Sequence, residues 1–232
     1  MASPADMGGA PQRERIFNAP WPPLLIAALL PVLFFLQIRH PDEAGLIYRY
    51  GFLPSDLAAG RVDGLITHMF LHGSWAHVGM NAIGALAFGA PVARWLGRPG
   101  VGALGFFAFY LLCGAIAAGG YGLLHPDSPA PLIGASGGVF ALIGGATRLM
   151  GSRGRLAPPW ARPVLMASAA WIGVNLFIGL TGFAPGAEGA SVAWEAHIIG
   201  FVAGLLLIGP WTAMFGAPPS RIDSPAGLGD AP

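Results

Sequence analysis

Three stretches of an otherwise apolar chain hold side chains able to do chemistry: HMFLHGSWAHVGMN (68–81), GASGGVF (134–140) and WEAHIIGFVAG (194–204). The middle one sets Ser136 among small residues. A serine hydroxyl is a weak nucleophile until an adjacent base activates it, and His197 in the third stretch is a candidate base. An attacked carbonyl also needs donors aimed at its developing oxyanion. His77 and Asn81, four residues apart and so on one helix face, can supply them together with the Ser136 backbone N–H. No buried acid is evident beside the histidine, so the arrangement would be a Ser–His dyad rather than a triad. The competing reading is that Ser136 only packs between helices, as serine often does in glycine-rich membrane segments.

The elements that must position these residues are set by composition. The chain has 232 residues, 54% hydrophobic and only 10% charged. Soluble domains carry about 25% charged residues, so this chain belongs in a lipid bilayer. Its net charge of +1 gives no basic field for nucleic acid. The single cysteine, Cys113, excludes an internal disulfide and reads as packing. A spanning helix needs roughly 20 mostly apolar residues. Six segments meet or approach that: Trp21–Ile38, Trp75–Leu96, Val101–Leu124, Ile133–Met150, Val164–Phe183 and Val192–Phe215. The fold expected is an all-α polytopic bundle of six transmembrane helices over 21–215. Polar, Pro- and Gly-rich segments, 1–20 and 216–232, flank it and read as disordered. The first segment reads as retained, without a signal-peptide cleavage site.

Orientation follows from arginine, since the chain has no lysine. With the N-terminus in the cytoplasm, Arg13, Arg15, Arg94, Arg98, Arg148, Arg153, Arg155, Arg162 and Arg221 lie inside, and only Arg39, Arg49 and Arg61 outside. Both termini are therefore expected in the cytoplasm, and the arginine-only, Ala/Gly/Pro-rich composition suggests a bacterial cell membrane. The long first outer loop, 39–74, contains apolar patches and is expected to fold on the outer face, dipping into the interface. Gly73-Ser74 reads as a break and an N-cap, so the second spanning helix starts at Trp75.

In that topology the second, fourth and sixth helices run the same way. His77, Ser136 and His197 then lie at similar depth near their outer ends. Gly200 and Gly204 share the face of His197, and the fourth helix offers Gly134, Gly137, Gly138, Gly144 and Gly145, so the two helices can approach closely.

These residues resemble the rhomboid family of intramembrane serine proteases. GASGGVF is similar to its GxSG signature, HGSWAHVGMN to its second-helix histidine and asparagine, and AHIIGFVAG to its last-helix histidine followed by GxxxG. The resemblance covers the six-helix core, roughly 21–215, with all three motifs in order. It implies Ser136 as nucleophile, His197 as general base, and His77, Asn81 and the Ser136 N–H as oxyanion donors. It implies that Phe140 packs on the catalytic histidine and that Gly134 opens the backbone near the serine towards substrate. Gly137, Gly200 and Gly204 are supporting residues. No metal or cofactor is implied, and the partners would be single-pass transmembrane protein substrates and the lipid bilayer itself. The chain departs from the family twice: VDGLITH stands where many members carry a Trp-Arg pair, and Trp194 stands where some carry asparagine.

Two other classes are weighed. A catalytically inactive rhomboid-like protein could bind membrane clients, but it would be expected to lack the serine or the base. A transporter or metal carrier could use His68, His72, His77 and His197; His68 and His72 at i, i+4 fit a metal weakly, and there is no HExxH and no intramembrane carboxylate pair. His68 and His72 otherwise read as structural, and Asn175 as an interhelical hydrogen bond. Glu188 and Glu195 read as solvated, and His125 as a turn residue.

Overall fold

The computed structural model describes residues 19–150, 155–182 and 192–216. Most of both terminal segments, the loop 183–191 with Glu188, and Arg13, Arg15, Arg153 and Arg221 lie outside these residues. Among the described residues the structure is helical: α1 Trp21–Gln37, α2 Glu43–Tyr50, α3 Pro54–Ala58, α4 Gly64–Thr67 followed by a 3-10 turn His68–Phe70, α5 Trp75–Leu96, α6 Val101–Leu124, α7 Ser136–Thr147, α8 Arg162–Thr181 and α9 Trp194–Phe215. Four of them, α5, α6, α8 and α9, are long and apolar enough to cross a membrane. The other two long apolar segments form shorter helices, α1 with 17 residues and α7 with 12.

α7 is the centre of the bundle. Its residues 137–147 are buried apart from Phe140, because α5, α6 and α9 surround it. Half of its twelve residues are Gly or Ala, so neighbouring helices can close on it from several sides. It is shorter than the apolar run Ile133–Met150. At its start, Leu132 pairs with Phe52 through two backbone hydrogen bonds of 2.8 and 3.0 Å, and the Gly134 N–H donates to the His68 carbonyl at 2.9 Å. That backbone is committed to the first long loop and cannot join the helix.

Glycine sets the separation of α7 and α9. A Cβ on Gly200 would collide with the Gly137 carbonyl oxygen, one on Gly204 with the Ala141 carbonyl, and one on Gly144 with the Phe201 carbonyl. The two backbones therefore touch directly, as small residues permit between membrane helices. α1 packs on α5 through a stripe of buried residues at helical spacing, Pro22, Ile26, Leu30, Phe34 and Gln37.

Gln37 fastens the end of α1 to the backbone just ahead of α5. Its Nε2 donates to the His72 carbonyl at 2.7 Å, and its Oε1 accepts from the His72 N–H at 3.0 Å. The long first loop folds into α2, α3 and α4. Without a Trp-Arg pair it is held by the Arg49–Asp63 bridge at 2.8 Å, the Arg61–Asp56 ion pair, the Thr67 hydroxyl donating to the Tyr50 carbonyl at 2.6 Å, and the Phe52–Leu132 pairing. The hydrogen bond from Arg49 holds the Asp63 carboxyl below its ordinary range. Cys113 is fully buried in the core.

Gly204→Val should lower the thermal midpoint in detergent sharply, since a side chain driven into a helix backbone exceeds ordinary overpacking of about 1–3 kcal/mol. Gly173→Ala, where nothing lies within 4 Å of the added Cβ, should leave the midpoint unchanged or slightly raised. Equal midpoints for the two variants would contradict the backbone contact. Gln37→Leu strands two buried backbone groups and should cost about 1–3 kcal/mol for each, read as a lower midpoint and faster proteolysis of the first long loop.

Candidate active site

Ser136, His197, His77 and Asn81 come together at the N-terminal ends of α7, α9 and α5. Ser136 is the first residue of α7 and is half-buried. The first hydrogen bond of that helix runs from the Val139 N–H to the Ala135 carbonyl at 3.1 Å. The N–H groups of Ser136, Gly137 and Gly138 therefore lie ahead of the helical ladder, at the positive end of the helix dipole. His197, in the first turn of α9, brings its Nε2 to 2.9 Å from Ser136 Oγ. Phe140, one turn along α7 from Ser136, stacks on the imidazole with ring centroids 4.4 Å apart and planes 12° from parallel.

α5 supplies the other two residues. Ser74 caps it as expected, its hydroxyl accepting from the His77 N–H at 3.1 Å. Asn81 is buried, and its Nδ2 donates to the His77 carbonyl at 3.2 Å. The Gly73 N–H approaches His77 Nδ1 at 3.4 Å, long for a hydrogen bond. A backbone N–H can only donate, so this contact makes Nδ1 the acceptor and leaves the ring proton on Nε2. Nε2 and the Asn81 amide both face Gly134, two residues before the serine. A Cβ on Gly134 would sit 2.7 Å from His77 Nε2 and 3.9 Å from Asn81 Nδ2. Gly134 also has a φ of 119°, which L side chains rarely adopt. Two constraints thus fall on one glycine, and both keep space beside Ser136 open.

The remaining polar residues fall into place as follows. His68 is buried outside the long helices, with its Nδ1 donating to the Gly64 carbonyl at 2.9 Å, and burial pushes its pKa down to about 4. It is a neutral structural group of the loop. His72 is also fully buried, against Phe34 and His77, but its ring nitrogens have no hydrogen-bond partner; only its backbone is tied, to Gln37. Two expectations are corrected. Glu195 is not simply solvated and His125 is not merely a turn residue, because His125 Nε2 lies 3.0 Å from Glu195 Oε1 and joins the end of α6 to the start of α9. Among the described residues no three His, Cys, Asp or Glu side chains gather as a metal site would require.

Asn175 makes the expected interhelical hydrogen bond, and its partner is the candidate base. Its Oδ1 lies 3.0 Å from His197 Nδ1. One lone amide in an apolar run marked an interhelical contact in the sequence. Nothing in the run said which helix would receive it. Trp194, standing where some family members carry asparagine, instead packs its ring against Gly179 of α8.

Residues 59–212, about two thirds of the chain, match the family model described as Rhomboid domain. Over 112 residues the chain is 30% identical to Rhomboid-related protein 3 of Homo sapiens, which covers 47% of this chain and 24% of that protein. The chain thus spans about a quarter of the length of this relative. With the domain match spanning the helices that carry Ser136, His197, His77 and Asn81, the chain belongs to the rhomboid family.

Proposed function

We propose that this chain is an intramembrane serine endopeptidase that cleaves single-pass membrane proteins in or next to their transmembrane segments. The observation that carries the reading is the 2.9 Å contact between Ser136 Oγ and His197 Nε2 on two helices held together by glycine. In the mechanism, Ser136 Oγ attacks the scissile carbonyl carbon as its proton passes to His197 Nε2. The carbonyl oxygen becomes an oxyanion beside the Ser136 N–H, the His77 Nε2–H and the Asn81 amide. Three helix N-termini at the site add favourable field for that negative charge. The intermediate collapses, His197 returns the proton to the leaving amine, and water hydrolyses the acyl-serine by the same route. The family membership and the half-buried, reachable serine support this reading, as does Phe140 stacked on the base.

The membrane setting belongs to the same proposal. All six apolar helices, α1 and α5–α9, cross a bacterial inner membrane, with both termini cytoplasmic on the arginine bias. α7, roughly 18 Å long against a hydrocarbon core of about 30 Å, would then begin below the outer surface. Ser136 would meet a substrate helix inside the membrane, in a cavity that water must reach. No metal or cofactor takes part.

The test is active-site labelling of the purified protein in mild detergent with a fluorescent fluorophosphonate, followed by cleavage of a single-pass reporter. Wild type should label, and folded Ser136→Ala and His197→Ala should not. A labelled Ser136→Ala protein, or a folded wild type inert to both fluorophosphonate and isocoumarin, would sink the mechanism, the latter leaving client binding as the function. Asn81→Ala should reduce reporter turnover by about 10²–10³-fold if it is a principal oxyanion donor. Turnover near wild type would assign that role to the backbone N–H and His77.

A further inference from the structure

α8 is an unusual helix in this bundle. Of its twenty residues only Val164 and Asn175 are buried, while Leu165, Met166, Val174, Phe177 and Leu180 are exposed. It packs against α9 and, more lightly, α7. An amide inside an apolar segment is costly and needs a reason. Asn175 is 2% exposed, and both ends of its side chain are used.

We propose that Asn175 is a positioning residue for the base: it holds His197 in the tautomer that can accept the Ser136 proton, and does so only while α8 is seated against α9. The catalytic consequence rests on the function proposed above; the tautomer assignment does not.

The argument begins with the amide. Its Nδ2 lies 2.9 Å from the Trp171 carbonyl oxygen. A carbonyl only accepts, so the nitrogen must point there, because the flipped amide would set two acceptors against each other. Oδ1 is thereby the atom 3.0 Å from His197 Nδ1. An amide oxygen also only accepts, so Nδ1 must carry the imidazole proton. Nε2 is then left with its lone pair facing Ser136 Oγ at 2.9 Å, the state a general base requires. The other tautomer would oppose two lone pairs at Asn175 and leave Nε2 unable to take a proton. An amide thus takes the orienting part that a carboxylate plays in a Ser-His-Asp triad.

The helix that carries this amide makes its other contacts on the same stripe. Trp171, Asn175 and Gly179 are spaced at i, i+4 and i+8, one face of α8. Trp171 meets Phe140 edge-on at 6.3 Å and Phe88 at 5.5 Å, and Gly179 receives the Trp194 ring. Phe140 in turn stacks on His197. Through Asn175 directly, and through Trp171 and Phe140, the position of α8 is read at the imidazole. A movement of α8 away from α9 takes the acceptor from Nδ1 and frees the ring, so the base is set only when the helix is in place.

The experiment joins a spectroscopic signature to a rate. Imidazole ¹⁵N NMR on protein labelled at histidine, with His197 assigned by His197→Gln, reports which ring nitrogen is protonated. Fluorophosphonate labelling rates report the activated serine. Wild type should show His197 as the Nδ1–H tautomer. Asn175→Leu, similar in shape but without an acceptor, should lose that single tautomer and label about tenfold more slowly, the size of one lost hydrogen bond to a catalytic group. Asn175→Asp keeps an acceptor for Nδ1 but sets its other oxygen against the Trp171 carbonyl, so it should recover the rate in part, which a merely space-filling role would not do. Gly179→Leu, which pushes α8 off Trp194 with Asn175 intact, should loosen the tautomer as Asn175→Leu does. An Nε2–H tautomer in wild type, or an unchanged His197 spectrum in Asn175→Leu, would overturn the positioning role. An unchanged spectrum in folded Gly179→Leu would overturn the link to α8. If wild type shows the Nδ1–H tautomer but does not label, the protease reading fails while the assignment of Asn175 stands.

Discussion

Direct backbone contact between α7 and α9 fixes the distance at which a serine on one helix can meet a histidine on the other. Gly200 lies under the Gly137 carbonyl and Gly204 under the Ala141 carbonyl, with Gly144 doing the same from the other side. Lipid offers no hydrophobic drive for helix association, so close van der Waals packing of small residues must supply much of the stability. The register of these contacts along both helices brings Ser136 Oγ opposite His197 Nε2. A methyl added at any of these positions would collide with a carbonyl oxygen of the facing helix, so the two helices would have to part.

The first long loop completes what the helix pair begins. α7 starts where it does because Leu132 and Gly134 give their backbone hydrogen bonds to Phe52 and His68 instead of to a longer helix. That places free N–H groups at Ser136 and orients Gly134 so that His77 and Asn81 face the same space. Gln37 then ties α1 to the backbone of His72 just ahead of α5. The loop therefore acts on the site through backbone geometry. His68 adds one neutral side chain to it, and Arg49–Asp63 adds an exposed ion pair of small energetic weight.

Rigidity is unevenly shared. α7 is enclosed by three helices, whereas α8 touches the bundle through one stripe of its surface. The long helix with the least burial nevertheless contributes the amide next to the candidate base. A buried polar bond thus joins the enclosed centre of the bundle to its least buried long helix.

Much was legible in the sequence. The bounds of α5 and α6 follow from apolar runs, with Gly73-Ser74 as punctuation before the first. Ser136, His197, His77 and Asn81 stood out because polar groups are costly in apolar segments, and glycine at i, i+4 spacing identified a close helix pair. Those signals are local, set by the composition and period of a single segment. What lay outside them depended on contacts between distant segments. The fourth apolar run reads as eighteen residues, yet the helix has twelve, because pairing with Phe52, some eighty residues earlier, draws its start into the loop. His125 and Glu195, solvated or turn-like on local grounds, pair across seventy positions. Asn175 announced a polar contact without its partner, since the hydrogen bond to His197 exists only once α8 lies against α9. Sequence by itself determined which side chains were worth burying in a membrane; tertiary structure alone decided which of them meet, because a hydrogen bond needs about 3 Å and no local pattern specifies a distance between helices.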